Sequence, residues 1–406
     1  MDTGSIAWAI TATALVLFMT PGVALFYGGL VKAKSVVSMM MMSFGALGLV
    51  SVLWVLYGFN MSAVGGVWDF AGNPFSDFGL GALATGDSAN TDLIGVAFGA
   101  TFAIITVALI SGAIADRAKF GSWMIFAGIW ATLVYFPVAA WVWGGGWILG
   151  LGESLGLPGV IDYAGGTAVH INAGAAALAL ALVLGKRVGF QKGMDKPHNV
   201  PLTLLGASVL WFGWFGFNAG AEWLNGLANT GLIVVNTLGA TAAAILGWLV
   251  VERLKDGKPT SVGAASGAVA GLVAITPACA NLEPGWALLL GVLAGAICAL
   301  AVELKFKLGF DDSLDVVGIH LVGGLIGTLY LGFFAIDTGL FTGGDFGQLT
   351  VQVIAAGAVL LYSFIVAFLL GFAIEKTIGF RVKNEDEIAG IDTVVHGEEG
   401  YALERV

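Results

Sequence analysis

Charged side chains are scarce in this sequence. Asp, Glu, Lys and Arg together make up 11% of the 406 residues, whereas 58% are hydrophobic and the mean hydropathy is +0.92. Soluble domains carry about 25% charged residues, so a soluble fold is excluded. Short segments of alternating hydrophobicity, which a membrane β-barrel needs, are lacking too. The sequence therefore predicts an all-α polytopic membrane protein, because helices satisfy their own backbone hydrogen bonds in lipid.

Cysteine and histidine are also rare, with two and four residues respectively. Cys279 and Cys298 both lie in apolar segments, which predicts small buried side chains and not a disulfide framework or a metal site. The sequence has no P-loop, no GxGxxG opening a helix after a strand, no GxSxG and no HExxH. We therefore expect no enzyme activity, no cofactor, no metal and no nucleic-acid partner. The first apolar run has no basic segment before it, so we expect no cleaved signal peptide.

Long apolar runs cover most of the chain. A membrane span needs roughly 17–25 such residues, and the sequence offers eleven runs that we interpret as spans. They lie near residues 6–27, 36–61, 93–114, 121–143, 163–184, 200–217, 230–251, 262–276, 285–302, 316–335 and 349–374.

The loops between these runs sort by charge. All 17 basic residues fall on one predicted side: Lys32, Lys34, Arg117, Lys119, Lys186, Arg187, Lys192, Lys196, Arg253, Lys255, Lys258, Lys305, Lys307, Lys376, Arg381, Lys383 and Arg405. The opposite loops carry acids, including Asp69, Asp77, Asp87, Asp92, Glu153, Glu222, Glu283, Asp337 and Asp345. Because cytoplasmic loops are the basic ones, we predict a multi-pass protein of the cell membrane with its N-terminus outside and its C-terminus in the cytoplasm.

Histidines mark equivalent positions in two halves of the chain. His170 lies in the fifth predicted span and His320 in the tenth, so each half has five spans and the halves run in opposite senses, as in many transporters. We predict an eleven-helix transporter domain over residues 1–376, with repeat one at about 5–185, repeat two at about 198–336 and an extra helix at about 347–376. Residues 377–406 are predicted to form a cytoplasmic tail.

The two histidines are the strongest candidates for function, because an ionisable side chain inside a span is costly. They occur in the segments DYAGGTAVHINA and DVVGIHLVGG, where Asp162 and Asp315 begin the spans and can cap free backbone N–H groups. A hydrogen-bonded pair of neutral imidazoles suits a small, neutral, polar solute. The alternative is two separate structural histidines, each bonded to a backbone carbonyl.

Aromatic residues cluster at the predicted outer ends of several spans. Phe98 and Phe102 lie four residues apart on one face of the third span, Trp143 ends the fourth, and Phe217 lies at the end of the sixth. Aromatic faces at an outer mouth bind cations through cation–π contacts. The alternative is the aromatic belt that membrane proteins place at the lipid interface.

Several segments together resemble the ammonium transporter (Amt/Mep/Rh) family, on its Amt branch. They include MTPGVALFYGGLVKAK, WVWGGGW, DYAGGTAVHINAG, GWFGFNAG, DDSLDVVGIH and GIDTVVHGEEGY. The resemblance covers almost the whole chain. It implies a homotrimer in the lipid membrane that transports ammonium or ammonia, with methylammonium as a further candidate substrate. It also implies a cytoplasmic tail that contacts the basic loops and a PII-type regulatory protein.

The resemblance implies a role for each candidate residue. His170 and His320 resemble the twin pore histidines that bind ammonia and relay protons, and Phe102 and Phe217 resemble the outer gate. Trp143, with Phe98 and Phe102 beside it, resembles the site that recruits ammonium, and Asp162 resembles the aspartate that supports this vestibule.

Two positions depart from the family pattern. Ala221 stands where a serine is usual in the recruitment site, and Gly99 stands where a glutamine commonly follows the first phenylalanine. We expect weaker or water-mediated ammonium binding beside Ala221. Two alternative functions remain open at this point: a passive channel for ammonia or carbon dioxide like the Rh branch, and an ammonium sensor with little flux.

Overall fold

Helices account for the regular secondary structure in the computed structural model, which describes residues 2–65, 70–191 and 196–401. Within these ranges the one β contact is an isolated antiparallel bridge between Ala118 and Arg381. The predictions for Asp69, Lys192 and Arg405 fall outside the described residues.

Ten helices in the described ranges are long and apolar enough to cross a membrane. They confirm the prediction of an all-α polytopic membrane protein. An additional apolar helix, Ser261–Ile275, has 15 residues and lies where the short eighth span is predicted. In chain order the helices are α1 Thr3–Leu30, α2 Ala33–Met61, α3 Asn90–Ile114, α4 Phe120–Val142, α5 Gly166–Leu184, α6 Val200–Asn225, α7 Thr230–Lys255, α8 Ser261–Ile275, α9 Pro284–Leu308, α10 Val317–Phe334 and α11 Phe346–Thr377.

Polar side chains define several helix starts. The side chains of Asp2, Asn199, Thr260 and Asp345 each accept a hydrogen bond from a backbone N–H in the first turn of α1, α6, α8 and α11. Such N-caps satisfy donors that have no partner within the helix. Pro284 begins α9, where a missing N–H costs nothing.

Glycines let two pairs of helices cross closely. In α6, a Cβ added to Gly206 would lie 2.2 Å from the backbone nitrogen of Phe26 in α1. In α5, a Cβ added to Gly174 would lie 2.5 Å from the backbone nitrogen of Leu321 in α10. Small residues allow this approach because no side chain separates the backbones. The α5–α10 contact brings the two histidine-bearing segments together.

The segment after α11 folds back over the ends of other helices. The Asp392 carboxylate accepts hydrogen bonds from the backbone N–H groups of Val37 (3.0 Å) and Ser38 (2.8 Å) near the start of α2. Glu387 accepts one from the Val188 N–H at 2.6 Å, in the loop after α5. Burial raises the pKa of Asp392. The described part of the tail is therefore packed against the helix ends.

Candidate functional site

The two histidines meet in the interior. The Nδ1 atoms of His170 and His320 lie 3.2 Å apart, and both side chains are almost completely buried. For this hydrogen bond, one ring carries its proton on Nδ1 and the other on Nε2, since a neutral imidazole has one donor and one acceptor. The structure therefore brings the pair together in the way the sequence suggests, and the alternative of separate histidines bound to carbonyls is wrong.

Both histidines lie in π-helical turns, Gly166–Ile171 at the start of α5 and Val317–Leu321 at the start of α10. Such turns are rare and frequently occur at functional sites. The Asp162 carboxylate accepts hydrogen bonds from the N–H groups of Gly165, Thr167 and Ala168, each 3.0 Å long. These hydrogen bonds fix the position of the turn that carries His170.

The predicted counterpart of Asp162, Asp315, does not cap α10. Asp312 does so instead: its carboxylate accepts hydrogen bonds from Val316 (3.1 Å) and Val317 (2.7 Å). Asp315 has φ of +64° and pairs with the Lys305 ammonium at 2.6 Å. The prediction for Asp315 is wrong because an aspartate directly before a helix can turn its side chain away when its backbone is left-handed.

Trp214, which the sequence analysis does not single out, packs against His170. The Trp214 indole stacks on the His170 ring, with centroids 5.5 Å apart and planes at 15°. Its Nε1 donates to the Thr276 hydroxyl at 2.8 Å. Trp214 precedes Phe217 by three residues in α6, so helical spacing from a candidate residue was the available signal.

A small apolar cavity adjoins the histidines. Its volume is about 10 Å³, and besides the two imidazoles its lining includes Val23, Phe26, Tyr27, Ile105, Leu109, Val169, Leu210, Trp214, Phe217 and Val269. A cavity of about this volume is the smallest that can hold one water-sized molecule. The passage at this level therefore fits one small solute at a time.

The two candidate phenylalanines stack above this cavity. The Phe102 and Phe217 rings have centroids 4.2 Å apart and planes at 18°, and both residues are buried. The Phe217 ring lies 6.2 Å from the His170 ring. The stacked pair therefore separates the histidines from the space beyond.

That space is a larger cavity, of about 650 Å³, that we call the outer cavity. Trp143 is 36% exposed, lies edge-on to Phe102 at 6.0 Å and donates its indole N–H to the Asp162 carbonyl at 2.9 Å. Phe98 packs on Phe102 at 4.9 Å, and Ala221 also lines the cavity. The predicted recruitment residues are thus assembled around one opening.

Known proteins share this architecture. The family model described as Ammonium Transporter Family matches residues 7–401. The chain is 52% identical to an ammonium transporter of Mycobacterium tuberculosis, over 98% of this chain and 90% of that one. It is 42% identical to an ammonium transporter of Bacillus subtilis, over 99% of each chain.

Solved structures with a similar fold include other members of this group of proteins. The fold is similar to a protein titled Sensor Amt Protein, with a TM-score of 0.88 and 28% identity over 97% of this chain and 98% of that one. It is also similar to Candida albicans Mep2, with a TM-score of 0.83 and 32% identity over 95% and 88%. The chain belongs to the ammonium transporter family.

Membership of the ammonium transporter family makes this chain a transporter and not an enzyme. Within the described ranges, no group of three or more His, Cys, Asp or Glu residues is arranged to hold a metal ion.

The glycine at position 99 of this ammonium transporter, one of the two expected departures from the family pattern, has a structural explanation. A Cβ added to Gly99 would lie 2.8 Å from Cζ2 of Trp54. The Trp54 indole is buried, lines the outer cavity and donates to the Val96 carbonyl at 2.9 Å. Gly99 therefore leaves room for a tryptophan from α2. Sequence reasoning did not find this pair, because the two residues are far apart in the chain.

At the other end of the transporter lies a charged cavity of about 330 Å³. Arg187 bonds to Asp311 at 2.9 Å and to Asp116 at 3.1 Å. Burial raises the pKa of Asp311, but the hydrogen bond from Arg187 and the positive charges of Arg117 and Arg187 outweigh this effect and leave that pKa below its usual value. Burial by itself lowers the pKa of Arg187. The hydrogen bond and negative charge of Asp311 outweigh this effect, so the pKa of Arg187 is raised overall. Arg187 and Asp311 therefore form a stable ion pair at neutral pH.

Proposed function

We propose that the protein recruits external ammonium at an aromatic site, deprotonates it and conducts ammonia past a pair of histidines, with separate transfer of the proton. The observation that carries this proposal is the buried His170–His320 pair, whose Nδ1 atoms are 3.2 Å apart beside an apolar cavity of about 10 Å³.

Recruitment takes place in the outer cavity. Trp143, Phe98 and Phe102 present aromatic faces to a cation, which adds ~0.5–2 kcal/mol of attraction per contact. Ala221 contributes no hydroxyl there. Asp162 supports the vestibule through its hydrogen bonds to the turn before α5 and by placing the carbonyl that receives the Trp143 indole.

The apolar surroundings below the outer cavity favour the deprotonation of ammonium. A charge near the bilayer centre costs ~2.5 kcal/mol or more, whereas neutral ammonia does not carry that penalty. The stacked Phe102 and Phe217 act as the outer gate and remove the hydration of the ion. Below the gate, His170 and His320 bind ammonia by hydrogen bonds and relay the proton, which makes transport electrogenic.

The same proposal includes the membrane arrangement. With α8 counted as a short span, eleven helices cross the membrane as two inverted repeats, at about 5–185 and 198–336, plus an extra helix at about 347–376. The sorting of basic residues supports an outside N-terminus and a cytoplasmic tail in the cell membrane. We also propose a homotrimer whose tail, residues 377–406, responds to a PII-type protein.

The test is a current measurement on purified protein in liposomes on a solid-supported membrane. We expect an ammonium-evoked current from the wild type and a loss of at least about tenfold in His170→Ala, because the relay needs both rings. His198→Gln is the matched control, since His198 lies outside the pore and a glutamine keeps a polar group for its contacts to Val31 and Tyr401. A wild type with intact neutral ammonia flux and no current would instead support the passive channel.

A sensor is the second candidate function. The similarity to the protein titled Sensor Amt Protein favours it, and so does a tail that is packed against helix ends and could pass a signal to a partner. Ammonium binding to the purified protein without either current or ammonia flux in liposomes would support this function over transport.

A further inference from the structure

A carboxylate lies buried beside the outer cavity. Glu222 is fully buried and follows Ala221 in the chain. Its Oε1 accepts a hydrogen bond from the Tyr163 hydroxyl and a long one, at 3.5 Å, from the Asn225 amide. Its Oε2 accepts one from the Asn229 backbone N–H at 2.6 Å. These donors are all neutral, so they hold the carboxylate in place without cancelling its charge.

The wall of the outer cavity surrounds this carboxylate. Ala221 and Trp223, its two neighbours in the chain, line the cavity, and so does Tyr163, its hydrogen-bond partner. None of the ion pairs found in the described part of the chain involves Glu222. All 17 basic residues fall in loops predicted to lie on the opposite side of the membrane. The negative charge therefore lies directly behind the wall and, among the described residues, is in no ion pair with a cation.

We infer that Glu222 is a positioning residue for ammonium: its fixed charge attracts the cation into the outer cavity, at a site whose wall residue 221 has no hydroxyl. The inference rests on the proposed function. Charges in clefts with low-dielectric walls concentrate ions of opposite sign. A unit charge ~10 Å away, at an effective dielectric constant of ~20, changes the binding of a monovalent cation by roughly 10- to 20-fold.

Electrostatic attraction by Glu222 would affect some steps of transport and not others. Attraction acts on ammonium and not on ammonia, so the charge raises cation occupancy of the outer cavity without changing passage below the phenylalanine gate. External salt screens this attraction only in part, because the carboxylate is buried while the cation lies in the outer cavity. A role confined to folding the loop around residues 220–229 would not produce dependence on salt.

The experiment compares Glu222→Gln with the wild type in the liposome current assay. We expect the half-saturating ammonium concentration to rise about tenfold while the maximal current changes little. Half-saturation in the wild type should also rise with external salt, and this dependence should be weaker in Glu222→Gln. Glu153→Gln is the matched control, because Glu153 is exposed in the short helix Leu151–Leu155 on the same predicted side and does not line the outer cavity.

If Glu222→Gln does not fold, the double variant Tyr163→Phe with Glu222→Gln removes the charge, lets the amide oxygen still accept from the Asn229 N–H, and leaves no hydroxyl facing the amide nitrogen. The same rise in half-saturation and loss of salt dependence are expected. Unchanged half-saturation and an unchanged salt response in a folded variant would overturn the inference. Absence of current from the wild type would instead refute the electrogenic function and is distinguishable from that result.

Discussion

In the wall of the outer cavity, a glycine makes room for a large neighbouring side chain. Gly99 has no side chain, and the Trp54 indole occupies the space that a side chain there would need. The indole is held by a hydrogen bond to Val96 and by edge-on packing against Phe136 at 5.6 Å. Because Trp54 is fixed on several sides, it cannot move aside cheaply.

We therefore expect Gly99→Ala to destabilise the protein. The new Cβ would meet Trp54 at 2.8 Å, and overpacking of this kind costs about 1–3 kcal/mol. Gly48→Ala is the matched control, since Gly48 is also within a helix and a Cβ there meets nothing within 4 Å. That change should be neutral or stabilising, by up to ~1 kcal/mol from helix propensity.

Thermal unfolding of both variants in detergent measures the difference. A lower midpoint is expected for Gly99→Ala alone. Equal midpoints for the two variants would contradict the assignment of Trp54 as the residue that requires glycine at position 99.

At the scale of elements, the starts of α5 and α10 are built alike. Each carries its histidine in a π-helical turn, and an aspartate carboxylate satisfies backbone N–H groups at the start of each. Asp162 and Asp312 therefore have the same role at the two histidine-bearing turns. Their buried charges are stabilised by these hydrogen bonds, since an unpaired one would be costly.

Asp312→Asn should weaken the start of α10 and displace His320. An asparagine keeps one acceptor oxygen and loses the other, and loss of a cap costs about 0.5–2 kcal/mol. We expect a lower unfolding midpoint in detergent and a smaller ammonium-evoked current.

The control is Asp337→Asn at the opposite end of α10. Asp337 is exposed and has φ of +63°, which asparagine also adopts readily. An Asp337→Asn variant that loses as much stability as Asp312→Asn would contradict the capping role of Asp312.

At the scale of the whole molecule, the tail connects elements that are distant in sequence. Asp392 bonds to the start of α2, and Glu387 bonds to the loop after α5 and to Arg381 at 2.8 Å. A change in tail docking therefore acts on the ends of two helices, one of which carries His170.

Removal of the Asp392 carboxylate should loosen this docking. Asp392→Ala leaves the N–H groups of Val37 and Ser38 without their acceptor, at a cost of about 0.5–2 kcal/mol. Amide hydrogen exchange in residues 384–401 should then become roughly 2- to 30-fold faster, since each ~1.4 kcal/mol is a factor of ten. Glu398→Ala, at an exposed position of the same segment, should leave exchange unchanged. Equal acceleration in both variants would refute the role of Asp392 in docking the tail.

Much of the site was predictable from sequence because its signals are local. Phe98 and Phe102 share a helix face by spacing alone, and a histidine in an apolar run is conspicuous wherever it occurs. Seven of the eight predicted site residues line the two cavities, and the eighth, Asp162, bonds to the turn that carries His170. Asp315 was misassigned because its backbone conformation, which directs the side chain toward Lys305, leaves no trace in the sequence.

By itself, the sequence determined that the chain is a helical membrane protein, because hydropathy is a sum over neighbouring residues. It also identified the two histidines and the family. Only the tertiary structure decided the 3.2 Å contact between the histidines, the pairing of Gly99 with Trp54 and the burial of Glu222 beside the outer cavity. These features depend on how closely helices approach and what fills the space between them, and such distances are set by packing across the whole fold.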